Sequence, residues 1–154
     1  MTDRQTIEAL SEALDDEYKA RAAYRKVIEV FGPVQPFVNI VEAEGRHIEA
    51  LLAQFGRFGV EPPQDTWPSR VTVPRTVAEA CEAAVQAEID NEAMYERLIP
   101  QMSDPIVRGV LRRLQQASQE RHLPAFRRCL SRELGSTGAG LPGRGPRHGT
   151  RTRQ

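Results

Sequence analysis

The sequence predicts an all-α protein, a bundle of four helices arranged as two antiparallel hairpins joined by a long crossover. Three observations lead there. Apolar residues recur with a helical period up to Leu134, alternating strand-like runs are nearly absent, and Gly and Pro residues cut the periodic stretch into four segments. A chain of 154 residues that is 40% hydrophobic and 27% charged suits one globular domain with a sizeable core.

The first predicted helix starts at Thr2 or Asp3 and places Ile7, Leu10, Leu14, Tyr24, Ile28 and Phe31 on one stripe before Gly32 and Pro33 stop it. The second opens near Pro36, whose missing N–H suits a first turn, and fades in "GRFGVEPP". Residues 59–75 contain Pro62, Pro63, Pro68 and Pro74, more than a helix tolerates, so they form the connection. Thr76 and Glu79 have capping-box spacing at the start of the third helix, which runs to about Ile99 ahead of Pro100. Asp104 as cap and Pro105 in the first turn begin the fourth, which ends at Leu134 before Gly135. Short links pair the first helix with the second and the third with the fourth.

Residues 1–134 are therefore expected to form the bundle and residues 135–154 a disordered basic tail. That tail is rich in Gly and Pro and carries Arg144, Arg147, Arg151 and Arg153 with no acid, in a chain of zero formal net charge. Without interleaved aromatics it argues weakly for nucleic acid, and a solubilising end is the preferred reading. The N-terminus lacks a signal-peptide pattern, and no apolar stretch approaches the roughly 20 residues of a membrane span. A cytoplasmic protein with no membrane partner is the expectation. Cys81 and Cys129 lie far apart with no Cys-x-x-Cys pair, so they read as small core residues in a reducing compartment.

Each predicted helix also aims ionisable groups along its apolar stripe. Glu17 falls between Leu14 and Tyr24, Glu44 and His47 between Val41 and Ile48, Glu88 between Ala84 and Tyr95, and His122 between Ser118 and Phe126. Measured from the two tight turns, these groups lie at similar heights, within about a turn or two at 1.5 Å per residue. The hairpins resemble each other as well: Glu17 and Tyr24 recur as Glu88 and Tyr95 at a separation of 71 residues, and His47 recurs as His122 after 75. Several carboxylates buried at one level need compensating cations, and Glu with His suits Fe, Mn or Zn. The bland alternative is a salt-bridged core using Arg21, Lys26, Arg113 and Arg121.

On these residues the sequence resembles the ferritin-like superfamily, specifically its rubrerythrin-type branch and a group of small uncharacterised bacterial and archaeal ferritin-like proteins. "EYKARAAY" at 17–24 is similar to the first-helix pattern, "EAEGRHIEAL" at 42–51 to the second-helix Glu-x-x-His run, and "HLPAF" at 122–126 to the end of the fourth helix. The resemblance implies a dinuclear centre held by Glu17, Glu44, His47, Glu88 and His122, with Tyr24 and Tyr95 orienting opposite carboxylates through their hydroxyls. The sixth family ligand is missing, because Gln119 stands three residues before His122. Glu92 and Glu120 are the candidates to supply its charge, Glu120 through a kink or π-bulge provoked by Pro124. Gly45 suggests a close helix approach.

The implied function is a ferritin-like metal protein with a di-iron centre, Mn or Zn being alternatives, that supports Fe(II) oxidation or oxygen or peroxide redox chemistry as an oxidoreductase. The resemblance further implies a homodimer, and a separate electron donor because no rubredoxin-like cysteine pairs are present. The alternative is a non-enzymatic metal-binding or scaffold bundle with a degraded site. A third reading, protection of DNA through the basic tail, rests on the tail arginines alone.

Overall fold

The computed structural model describes residues 3–137, and among them there is helix and loop but no strand. Helix α1 spans Arg4–Phe31, α2 Phe37–Phe58 and α3 Val77–Leu98, followed by a 3₁₀ turn at Ile99–Gln101 that contains Pro100. The fourth rod is α4, Pro105–Ala117, then a π-helical turn at Ser118–His122, then α5, Leu123–Thr137. The helix thus continues through Gly135, three residues beyond the expected domain boundary. The proposed tail from residue 138 onward lies outside the described residues, as do residues 1 and 2.

The ends follow from local chemistry. Asp3 caps α1 by accepting the Gln5 N–H at 3.1 Å, and Asp104 caps α4 by accepting those of Ile106 and Val107 at 3.0 and 2.9 Å. Thr76 accepts the Glu79 N–H at 3.1 Å, while the Glu79 carboxylate accepts the N–H of Arg75, one residue outside a regular capping box. Gly59 closes α2 at φ 65°, a left-handed conformation that a side chain would strain.

Side-chain pairs fix the directions. Glu12 with Arg97, Asp16 with Asn91 and Tyr24 with Glu88 pair rising positions of α1 with falling positions of α3, so these two helices are antiparallel. Helix α1 packs on α2, α3 packs on α5, and α2 meets α4, where Arg57 holds the Asp104 cap at 2.7 Å. The crossover, residues 59–76, passes over α1: Trp67 donates to Asp15 at 2.9 Å, and Arg21 approaches Asp65 at 3.4 Å.

The apolar interior is two clusters rather than one. The first gathers Leu10, Leu14, Leu51, Phe55, Leu98 and Leu111 at the α4 end. The second gathers Val27, Phe37, Ile40, Ala84 and Phe126 at the other, with the Tyr24, Phe37 and Phe126 rings 5.0 to 5.7 Å apart. A layer of buried Glu and His separates them.

Two expectations need correction here. Cys81 and Cys129 are buried as expected, but they are not separate thiols: a disulfide links them, tying α3 to α5. Helix packing brings their Cα atoms to 5.9 Å, which a 48-residue separation in sequence does not disclose. Gly45 does not mark a close approach, since a Cβ built there would meet nothing within 4 Å.

Candidate metal centre

Mid-helix positions of α1, α2 and α3, together with the π turn, supply the polar layer, and the side chains meet because their helices cross at one level. Two groups form around one shared carboxylate: Glu17, Glu44 and His47, and Glu44, Glu88 and His122, each with potential ligand atoms within 4.8 Å of one another. Glu17, Glu44 and Glu88 are no more than 2% exposed. His47 Nδ1 lies 3.5 Å from oxygens of both Glu17 and Glu44, and His122 Nδ1 lies 3.1 Å from Glu44 and 3.4 Å from Glu88. The two imidazoles stack at 5.3 Å between centroids.

These approaches are not hydrogen bonds. His47 Nδ1, His122 Nδ1 and Glu44 Oε2 are all buried without an aligned partner. Such orphans are costly in an apolar interior unless something placed between them accepts their lone pairs. The donor set of carboxylate oxygens and imidazole nitrogens suits a first-row divalent metal, so the residues present fit such an ion.

Neighbouring hydroxyls and an amide hold the carboxylates in place. Tyr24 of the first hairpin donates to Glu88 at 2.8 Å, and Tyr95 of the second donates to Glu17 at 2.6 Å. Asn91 donates to Asp16 at 2.7 Å and more distantly to Glu17 at 3.4 Å. Ser118 donates to Glu88 at 2.5 Å. Each of these bonds fixes an oxygen that would otherwise rotate freely. Burial pushes both tyrosine hydroxyls well above their ordinary pKa, with the neighbouring glutamates adding to it, so they stay protonated donors.

Electrostatics divide the acids. Burial, then the charge of Glu44, pushes Glu17 up to about 7. Burial acts on Glu44 in the same direction, but contacts with Glu17, His122 and His47 outweigh it and hold Glu44 below the ordinary value. Of this coupled pair, Glu17 keeps the proton and Glu44 the charge. Burial alone would lower the imidazoles, yet Glu17 and Glu44 raise His47 to about 10, and Glu44 and Glu88 raise His122 to about 9. Without a metal, protons compensate the carboxylates.

Five of the eight candidate ligand positions thus come together. Three do not. Gln119 and Glu120 are exposed, and Glu120 accepts from Gln116 at 3.1 Å on the outer surface. The π turn expected beside Pro124 is present, but it turns Ser118 inward rather than Glu120. Adding one residue to a turn rotates the helix face by about 100°, so the residue four before His122, not three, shares its side. Glu92 is half-buried, and its carbonyl receives Gln115 at 3.4 Å. A core salt-bridged by arginine or lysine is not what forms: Arg21 pairs with Asp65, Lys26 with Glu29, and Arg113 and Arg121 are exposed, so the imidazoles are the cationic partners of the buried carboxylates.

Sequence reasoning passed over Asn91 and Asp16. Asn91 was findable, lying three residues after Glu88 and four before Tyr95 on the same face.

No protein-family model matches the chain, and no curated protein matches it. Solved structures do. A hypothetical protein from Methanococcus jannaschii superposes with a TM-score of 0.77 at 20% identity, covering 86% of this chain and 83% of its own. A two-domain protein from Anabaena variabilis, containing DJ-1/ThiJ/PfpI-like and ferritin-like domains, gives 0.66 at 20% identity over 95% of this chain and 41% of its own. The conserved hypothetical protein Rv2844 from Mycobacterium tuberculosis gives 0.60 at 16% identity, with 92% and 97% covered. At these identities the likeness concerns fold: the chain is an all-α four-helix bundle similar to solved structures that include a protein with a ferritin-like domain.

Proposed function

We propose that the chain is a ferritin-like metal protein whose core would hold two iron or manganese ions, one in each Glu and His group, with Glu44 common to both groups. The observation that carries this reading is the convergence of Glu44 Oε2, His47 Nδ1 and His122 Nδ1, buried and without hydrogen-bond partners, between two groups of potential ligands. Such ions supply one-electron redox chemistry when bound, directed toward Fe(II) oxidation or the reduction of oxygen or peroxide.

The protein's own residues do the rest. Glu17 and the imidazoles must release their protons before their lone pairs can bind a cation, so binding is coupled to proton loss. Tyr95 holds Oε1 of Glu17 and leaves Oε2 facing His47, while Tyr24 and Ser118 hold one oxygen each of Glu88 and fix its carboxylate plane. The Tyr24, Phe37 and Phe126 rings close one side of the layer against water. In Fe(II) oxidation the iron itself would supply the electrons, whereas catalytic turnover with oxygen or peroxide would need a separate donor, because both cysteines form the disulfide and leave no thiol pair.

Anaerobic titration of the metal-free protein with Fe(II), counting ions per chain, tests the assignment. About two ions bound tightly, with loss in Glu44→Ala, is expected. A single ion in the wild type would reduce the centre to a mononuclear binder. No binding would leave a scaffold bundle in which the polar layer is purely structural.

A further inference from the structure

The buried centre needs a path from solvent, and one side of the bundle is built differently from the others. Between α1 and α3 lies a narrow cavity of about 80 Å³. Ala20, Ala23 and Ala87 line it, so the two helices leave a gap that longer side chains would fill. At its inner end are Glu44 and Glu88, and the partnerless Oε2 belongs to this same Glu44. Toward solvent are half-buried Asp16 and exposed Asp90, with Lys19 beside them, and buried Asn91 lies between these acids and the inner glutamates.

Asp16 and Asp90 also line a wider surface basin of about 460 Å³ with Glu12, Asp15 and Arg97. The basin holds four carboxylates against one guanidinium, and that guanidinium is paired with Glu12. A third and larger cleft, of about 680 Å³ under the crossover, is lined by Lys19, Arg70 and Arg75 against Glu79 and Asp90, a balance less favourable to a cation than that of the basin. A carboxylate-lined basin over a small opening concentrates cations and raises their rate of encounter.

We infer that the groove between α1 and α3 is the access route for divalent cations, with Asp16 and Asp90 collecting the ion and passing it across Asn91 to Glu44 and Glu88. The inference rests on the metal-centre reading and adds a direction to it. Asn91 suits the junction because its amide already links the basin to the site, donating to Asp16 at 2.7 Å and to Glu17 at 3.4 Å.

Stopped-flow mixing of Co(II) with the full metal-free chain tests this through the absorbance of the bound ion, with the wild type compared to Asp16→Asn/Asp90→Asn and, separately, to Ala20→Leu. The first variant removes the charge and the second narrows the gap from a position that is not a ligand. Both are expected to bind as many ions at equilibrium as the wild type, but at least about tenfold more slowly. The charge variant should also lose most of its dependence on salt. Glu49→Gln, on the exposed face of α2, should leave the rate unchanged. If the charge variant alters stoichiometry, Ala20→Leu alone decides, and a wild-type rate there overturns the route. Wild-type rates in both variants overturn it while leaving the metal centre intact. Failure of the wild type to bind Co(II) at all overturns the centre itself.

Discussion

The two halves of the polar layer present the same residue types, Glu and His, on different frameworks. In the first half, Glu17 and His47 come from the regular helices α1 and α2, held by Tyr95 and Asn91 with no covalent tie. In the second, Glu88 faces His122 across a π turn, Ser118 joins Tyr24 on the carboxylate, and a disulfide two helical turns from each residue locks α3 to α5. The halves also differ in charge. Glu44 serves both His residues, and the second half contributes no counterpart to it, only the neutral Ser118 hydroxyl. Similar placement of Glu and His therefore does not require similar winding, and a small polar residue, Ser118, fills the buried position beside Glu88.

The largest expected effect comes from removing what the halves share. Glu44→Ala should abolish binding in both, whereas His47→Ala and His122→Ala should each spare one ion; ion counts per chain by metal analysis check this, and equal total loss in all three would mean that the halves act as one unit. Next, the covalent difference should appear in stability. Cys81→Ser/Cys129→Ser opens a loop of 48 residues and should cost roughly 4 kcal/mol by loop entropy, read from urea midpoints. A cost below about 1 kcal/mol would mean that packing alone holds the second half.

The hydrogen bonds to the carboxylates rank third. Tyr95→Phe and Ser118→Ala should each cost about 1.5 kcal/mol in the metal-free protein, because each removes one buried bond to a carboxyl group. Tyr24→Phe should cost less than Tyr95→Phe, since Ser118 still holds Glu88 after the change.

Glu17 rises from 4.5 to about 7 on folding, His47 from 6.5 to about 10 and His122 from 6.5 to about 9. A raised folded value contributes stability that is complete below the unfolded value and lost as pH climbs through the folded one. The metal-free protein should therefore lose thermal stability in stages between pH 4.5 and 10. Glu44, held low, acts oppositely and only in acid, below its ordinary 4.5. NMR titration should find both imidazoles deprotonating well above their ordinary 6.5. Smallest of all, Gly45→Ala should stabilise α2 by up to about 1 kcal/mol, since space is open at that position.

Much of the fold was legible because its punctuation is local. Pro105 after Asp104, Gly32 after Phe31 and the four prolines of the crossover each act within a few residues of the boundary they set. The five convergent Glu and His residues were legible for a related reason, since charge on an apolar stripe is visible without knowing what faces it. The disulfide was not, because its two cysteines are brought together only by packing of α3 on α5. Nor could the sequence assign the sixth position. Pro124 signalled irregular winding, but whether Ser118, Gln119 or Glu120 turned inward depended on where the extra residue was absorbed. Asp16 stayed hidden because an acid beside a buried glutamate looks like ordinary surface until the gap between α1 and α3 is seen.

The split interior has a consequence for folding. Neither apolar cluster reaches the other except through the helices themselves and the layer of acids and imidazoles between them. In the metal-free chain that layer is the weakest stratum, where backbone amides near Glu17, Glu44 and Glu88 should exchange with solvent before those at Leu10 or Phe126. A bound cation would then act as a keystone: it would join two half-cores into one cooperative unit, making the tightness of the whole bundle a report on whether its centre is filled.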